Sequence, residues 1–169
     1  APTQGNNDPA QTNTETNTPA QNAEKVYTTY TQVYSAEVST LNYLQSTATD
    51  VTVLGSLCVD GLVEFDRYGV MQPCLAESWT KSEDGLTWTF KIREGVKWQR
   101  YDGSEYGENV KAEDWVTSAK WILDPANTAR TADLLFDMVG AEDYYMALES
   151  GTEANWDNVG IKAICEYEL

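Results

Sequence analysis

The side chains able to hold a metal or start a reaction are few here, and badly spaced for it. The chain contains no His, and its three cysteines are Cys58, Cys74 and Cys165. No two of them have the close spacing of a zinc knuckle, so neither a structural zinc site nor a resident metal is expected. Cys58 and Cys74 flank one strand–turn unit that a disulfide can span; three reduced, packed thiols are the plainer reading. Carboxylates are abundant, and Glu64, Asp66, Glu77, Glu83 and Asp84 together with six Trp superficially resemble the equipment of a carbohydrate-active enzyme. Those acids, however, fall in predicted hairpins and turns, where solvated carboxylates are ordinary. There is no phosphate-cradling glycine loop and no nucleophile elbow, and without His most general-base schemes lack their base. The expectation is a protein that is not an enzyme, with no catalytic residue and no cofactor.

The charge balance narrows the partners. Twenty-seven acidic and 11 basic residues give a net charge of −16. Neutralising phosphates takes clustered Lys and Arg, so no nucleic acid is expected. Adhesion to an anionic membrane surface is disfavoured for the same reason. The acidity serves solubility, or else steers a cationic ligand. No run of 18 apolar residues occurs, and the first 25 residues contain no hydrophobic stretch of a signal peptide. The chain is therefore expected to be cytosolic or to have lost its signal.

The elements that would position any site follow from the pattern. In residues 1–25, Thr, Asn, Gln and Pro fill 16 of 25 positions, and no Val, Ile, Leu, Met or aromatic residue appears. Such a stretch cannot bury enough apolar surface to offset its ordering entropy and reads as a disordered tether. Residues 26–169 read as one folded region. Val26–Val33 is strand-like. A helix is expected from Thr49 to Asp60, on the spacing of Val51, Leu54, Leu57 and Cys58, capped by Thr49 or Asp50 and ended by Gly61. Leu62–Phe65 is a short strand. Asp84-Gly85 marks a hairpin turn, after which Leu86, Trp88, Phe90 and Ile92 alternate as a half-buried antiparallel strand. Gln99–Asn109 reads as a loop. Ala112–Leu123 is the clearest helix, with Trp115, Val116, Ala119, Ile122 and Leu123 on one face and Asp124-Pro125 stopping it. Further helices are expected over Thr131–Val139 and Ala141–Leu148. Val159–Leu169 alternates as a strand and runs to the last residue without a terminating signal, the mark of a truncated sequence. The fold class is α/β, locally α+β, with short and mostly antiparallel strands packed with helices.

Three segments carry a family pattern. They are Cys58–Glu64; Pro73-Cys74-Leu75-Ala76-Glu77-Ser78-Trp79 followed by Ser82–Trp98; and Asp102-Gly103 followed by Val110–Val116. In order and spacing they resemble the family 5 extracytoplasmic solute-binding proteins, the oligopeptide and dipeptide binders of ABC importers. The signature is structural in character: Trp79 and Trp88 are expected as an aromatic cross-strand pair on the hairpin. The chain departs from the family where Gln99-Arg100-Tyr101 separates Trp98 from Asp102, and where Lys111 replaces the Thr that often caps the following helix.

The resemblance implies the N-terminal part of the first lobe of a two-lobed, type II periplasmic-binding-protein fold that closes over a ligand. It implies an oligopeptide or dipeptide ligand held through its main chain, permease subunits as partners, and an extracytoplasmic place at the cell surface or in the periplasm. A lipid anchor upstream would make it a lipoprotein. It places Thr47 and Thr49 at the cleft, where the alternative is helix capping by the same hydroxyls, and Arg130 and Thr131 near it, with Arg130 as an exposed side chain or a clamp for a ligand carboxylate. Non-peptide cargo within the family (a nickel complex, an oligosaccharide or an opine) remains the alternative ligand.

Overall fold

The computed structural model describes residues 29, 31, 33 and 37–169. The chain divides between Val33 and Tyr34, and the fold below is that of the second unit. The expected tether over 1–25 lies outside the described residues, and so does most of the strand expected over Val26–Val33.

The elements run α1 (Thr49–Cys58), β1 (Val63–Phe65), β2 (Met71–Pro73), β3 (Ala76–Lys81), β4 (Trp88–Ile92), β5 (Lys97–Gln99), β6 (Glu105–Asn109), α2 (Ala112–Ile122) and α3 (Ala141–Ser150). Single 3-10 turns cover Pro125–Asn127, Ala132–Leu135 and Trp156–Asn158. The strands form three antiparallel ribbons, β1–β2, β3–β4 and β5–β6, each of two strands.

The β3–β4 ribbon closes through the predicted Asp-Gly turn. Gly85 has φ 76°, the conformation a side chain would oppose. The Asp84 carboxylate accepts from Ser82 Oγ at 2.5 Å and from Leu86 N–H at 3.0 Å. Its register pairs Trp79 with Phe90 and Lys81 with Trp88. The two tryptophans are thus diagonal neighbours on one face, not a direct pair. The turn sets this register, closing with Ser82 N–H on Thr87 O at 2.9 Å, and a shift between Ala76 and Ser78 at the far end of the ribbon brings Ala76 opposite Ile92. The alternating face of β4 runs from Leu86, 83% exposed, through Trp88 at 49% to Ile92 at 1%, so the ribbon is anchored at one end and stands out at the other.

Three expectations are corrected. Gln99–Asn109 is not a loop but mostly hairpin: β5 and β6 pair Lys97 with Asn109 and Gln99 with Glu105 around an Asp102–Ser104 turn. Thr131–Val139 forms only a 3-10 turn and bends: Leu134, Phe136 and Met138 N–H each close on the carbonyl three residues back, at Thr131, Asp133 and Leu135. Val159–Leu169 is not one strand. Val159 is fully buried with Leu123 and Ala141. The chain then turns at Cys165–Glu168, and its last residues line the free edge of β4, with Phe90 and Leu169 exchanging both backbone bonds at 2.9 and 3.0 Å.

The helical core gathers where α2 ends. Leu123, Ala141 and Val159 are buried, with Leu135, Phe136, Met138, Tyr144, Tyr145, Trp156 and Ile161 around them. Tyr144 meets Trp156 edge-on at 5.1 Å, and Phe136 meets Tyr145 at 5.4 Å. Gly140 begins α3 at φ 69°, pressed against the backbone of Asn158, and Gly151 ends it in the same left-handed region.

Candidate ligand-binding surface

The stretch before α1 is a string of small polar residues that fold back on their own backbone. Thr40 Oγ1 accepts from Asn42 N–H at 3.0 Å, Asn42 Oδ1 from Leu44 N–H at 3.1 Å, and Ser46 Oγ from Ala48 N–H at 3.2 Å. These local bonds build an irregular segment that leads into α1 with Ala48 at the N-cap and no side chain capping it. Thr49 and Asp50 are already in the first turn, so the expected cap by either is not formed. Nor does Gly61 end the helix: it stops at Cys58, and Val59 N–H closes onto Gly55 O. Thr47 and Thr49 are both exposed. With Ala48 at the boundary, neither hydroxyl caps the helix.

The second stretch follows α2. Asp124 caps a 3-10 turn by accepting from Ala126 N–H at 2.9 Å, Pro125 supplies the fixed φ of its first residue, and Thr128 ends it at φ 52°. Asn127 Nδ2 donates to Trp121 O at 2.9 Å, tying the turn to α2. Arg130 is exposed, and half-buried Thr131 accepts from Leu134 N–H at 3.2 Å through its carbonyl.

The fold brings these stretches together. Arg130 N–H donates to Leu44 O at 2.8 Å, and Gln45 Nε2 donates to Asn127 O at 2.7 Å. The segment leading to Thr47 and Thr49 is thereby joined to the segment bearing Arg130 and Thr131. Gln45 was not among the residues singled out from sequence, because its partner lies 82 positions away.

Charge marks the same place. Among the described residues, Lys91, Lys97 and Lys111 pair with Glu77, Glu105 and Glu166. Arg67, Lys81, Arg100 and Lys120 lie over aromatic rings. Arg93 donates to Cys74 O and Lys162 to Asp157 O. The Arg130 guanidinium alone has no partner within this set.

A concavity of about 420 Å³ lies between α1, β5 and α2, lined by Tyr43, Val59, Leu75, Trp98, Trp115 and Asp114 among others. Its wall is fixed by one carboxylate: Asp114 Oδ2 accepts from Trp98 Nε1 at 3.0 Å and from Lys111 N–H at 2.9 Å. Lys111, as expected, offers no cap of its own, and Asp114 compensates from inside the helix. The N–H of Ala112 is taken by Glu166 O at 2.9 Å. Burial, and after it the charges of Asp60 and Glu64, raise the Cys74 thiol above its ordinary range. All three cysteines are free thiols. Among the described residues no group of His, Cys, Asp or Glu is arranged to hold a metal ion, and no helix is long and apolar enough to cross a membrane.

Comparison with known proteins gives a consistent picture. Residues 70–169 match the family described as bacterial extracellular solute-binding proteins, family 5, middle part. The oligopeptide-binding protein AmiA of Streptococcus pneumoniae is 43% identical over 141 residues, which is 83% of this chain and 20% of that protein. A periplasmic oligopeptide-binding protein of Borrelia burgdorferi superposes with a TM-score of 0.64 at 29% identity, covering 77% of this chain and 24% of that structure. Listeria monocytogenes OppA bound to peptide gives 0.64 at 26% identity, covering 80% and 25%. The chain thus spans about a fifth of the length of the curated relatives it matches.

Proposed function

This chain belongs to the bacterial extracellular solute-binding proteins of family 5, and on that premise we propose that it is part of the oligopeptide-capturing component of an ABC importer. It contributes to one lobe of a two-lobed binder working outside the cytoplasmic membrane, held there by a lipid anchor and handing its ligand to permease subunits. It performs no catalysis. The observation that carries this reading is the 43% identity to an oligopeptide-binding protein over 141 residues. The geometry supports it. Thr47, Thr49, Arg130 and Thr131 lie on two stretches that the Leu44–Arg130 and Gln45–Asn127 bonds join, and these are the ligand contacts we assign. Hydroxyls and an uncommitted guanidinium suit a peptide's amides and carboxylate.

The test is a thermal-shift screen of the complete natural protein that carries this sequence. Peptides of two to eight residues should raise its melting temperature, because a ligand at about 100 times its Kd adds about 2.7 kcal/mol. Stabilisation by a nickel complex, an oligosaccharide or an opine, and not by peptides, would overturn the assignment. The 169-residue chain alone should give no calorimetric heat with the same peptides, since closure needs two lobes.

A further inference from the structure

The two stretches of the candidate surface meet at one side chain. Gln45 Nε2 donates to Asn127 O at 2.7 Å and reaches Thr128 Oγ1 at 3.5 Å. Beside it runs the backbone bond from Arg130 to Leu44, at 2.8 Å. Between these ties Thr128 sits at φ 52° and ψ 34°, the only non-glycine described residue in the left-handed region. A β-branched residue avoids that conformation, and a strained conformation persists only where its surroundings hold it. Asn127 Nδ2, on Trp121 O, holds the turn from the α2 side; Gln45 holds it from the other. Two residues beyond Thr128 the chain delivers the guanidinium of Arg130, the one basic head without a partner among the described residues.

We infer that Gln45 is a positioning residue, whose amide holds the strained 127–130 turn so that Arg130 is presented to the terminal carboxylate of a bound peptide. The inference rests on the peptide-binding reading above and deepens it. Guanidinium and carboxylate match two hydrogen bonds at a time. In a chain of net charge −16 an anion is repelled from most of the surface, so an uncommitted cation is where it can dock.

The experiment uses the complete natural protein and two peptides of one sequence, one with a free C-terminus and one amidated. Calorimetry gives the affinity ratio, and amide hydrogen exchange at Arg130 reads the turn without ligand. The wild type should favour the free form, and R130A should erase that preference. Q45A should reduce the preference for the free over the amidated peptide about fivefold to tenfold, the loss of one hydrogen bond. It should also speed exchange at the Arg130 amide. T128G placed in the Q45A protein should restore most of the preference, because glycine takes positive φ without strain. A retained preference in R130A overturns the carboxylate role. A full preference and unchanged exchange in Q45A overturn the clamp. A wild type that takes neither peptide overturns the peptide reading together with Arg130's role, and exchange in Q45A then still decides the clamp.

Discussion

Asp114 shows how much one exposed-side carboxylate can organise. It accepts from Lys111 N–H and from Trp98 Nε1, so it supplies the start of α2 and the orientation of an indole on β5. D114A removes both acceptors and should cost about 1–2 kcal/mol, read as a lower urea midpoint with an unchanged slope. The cysteines differ in a way that chemistry can read. Cys58 and Cys165 are exposed, whereas Cys74 is partly covered and its thiol is raised by burial and by the nearby Asp60 and Glu64. Under native conditions at pH 8, iodoacetamide should label Cys58 and Cys165 well before Cys74. Equal rates at all three, followed by peptide mass mapping, would contradict that. At this scale sequence was informative about types and silent about partners. Thr47, Thr49, Arg130 and Thr131 were reached only through family resemblance. Gln45 and the Leu44–Arg130 bond left no local signal, because each links stretches more than 80 residues apart.

Among the elements, those legible in sequence were the ones whose burial obeys a period. Helix α2 shows Ala112, Val116, Ala119 and Leu123 buried on one face, and α3 runs to Gly151 as its composition requires. What failed had no such pattern. Strand β6 (Glu105–Asn109) is polar and exposed for most of its length, so its ladder is a backbone event that hydrophobic alternation cannot reveal. The alternation of Val159–Leu169 was real but serves two places. Val159 goes to the helical core and Leu169 to the edge of β4, with a tight turn between them. The junction of α3 offers the sharpest test at this scale. A Cβ on Gly140 would lie 2.3 Å from Asn158 O, at a φ that disfavours side chains. G140A should destabilise by about 3 kcal/mol or more, seen as a fall in melting temperature, while the equally left-handed but unobstructed G151A should cost only about 1 kcal/mol.

For the whole molecule, charge sets the response to pH and salt. Hydrogen bonds from backbone and neighbouring side chains lower Asp66, Asp84 and Asp102 below their ordinary 3.8. The Lys91 ammonium lowers Glu77 below 4.5. A carboxylate lowered on folding adds stability that is present above its unfolded value and lost as pH falls through the folded one. Lys91 and Lys111 are raised above 10.5 by Glu77 and Glu166, so their share is present below that value and lost at higher pH. Melting temperature should therefore be level between about pH 5 and 9 and decline below about 4. A maximum near pH 4, close to the isoelectric point of 4.1, would contradict this. Added salt at pH 7 should raise stability by screening the repulsion of the −16 net charge.

The pairing of Leu169 with Phe90 has a consequence during synthesis. Strand β4 leaves the ribosome early and can form its hairpin with β3 at once, but the backbone that covers its other edge is made roughly 75 residues later, a delay of about 4–15 s at ordinary translation rates. Through that interval a Trp–Thr–Phe–Lys–Ile strand stands with open amides and carbonyls, a template for a neighbouring nascent chain. The single Lys91 within it is the only charge guarding that edge, so K91V should show itself in polysome crowding and inclusion bodies before it shows in the melting temperature of protein that has already folded.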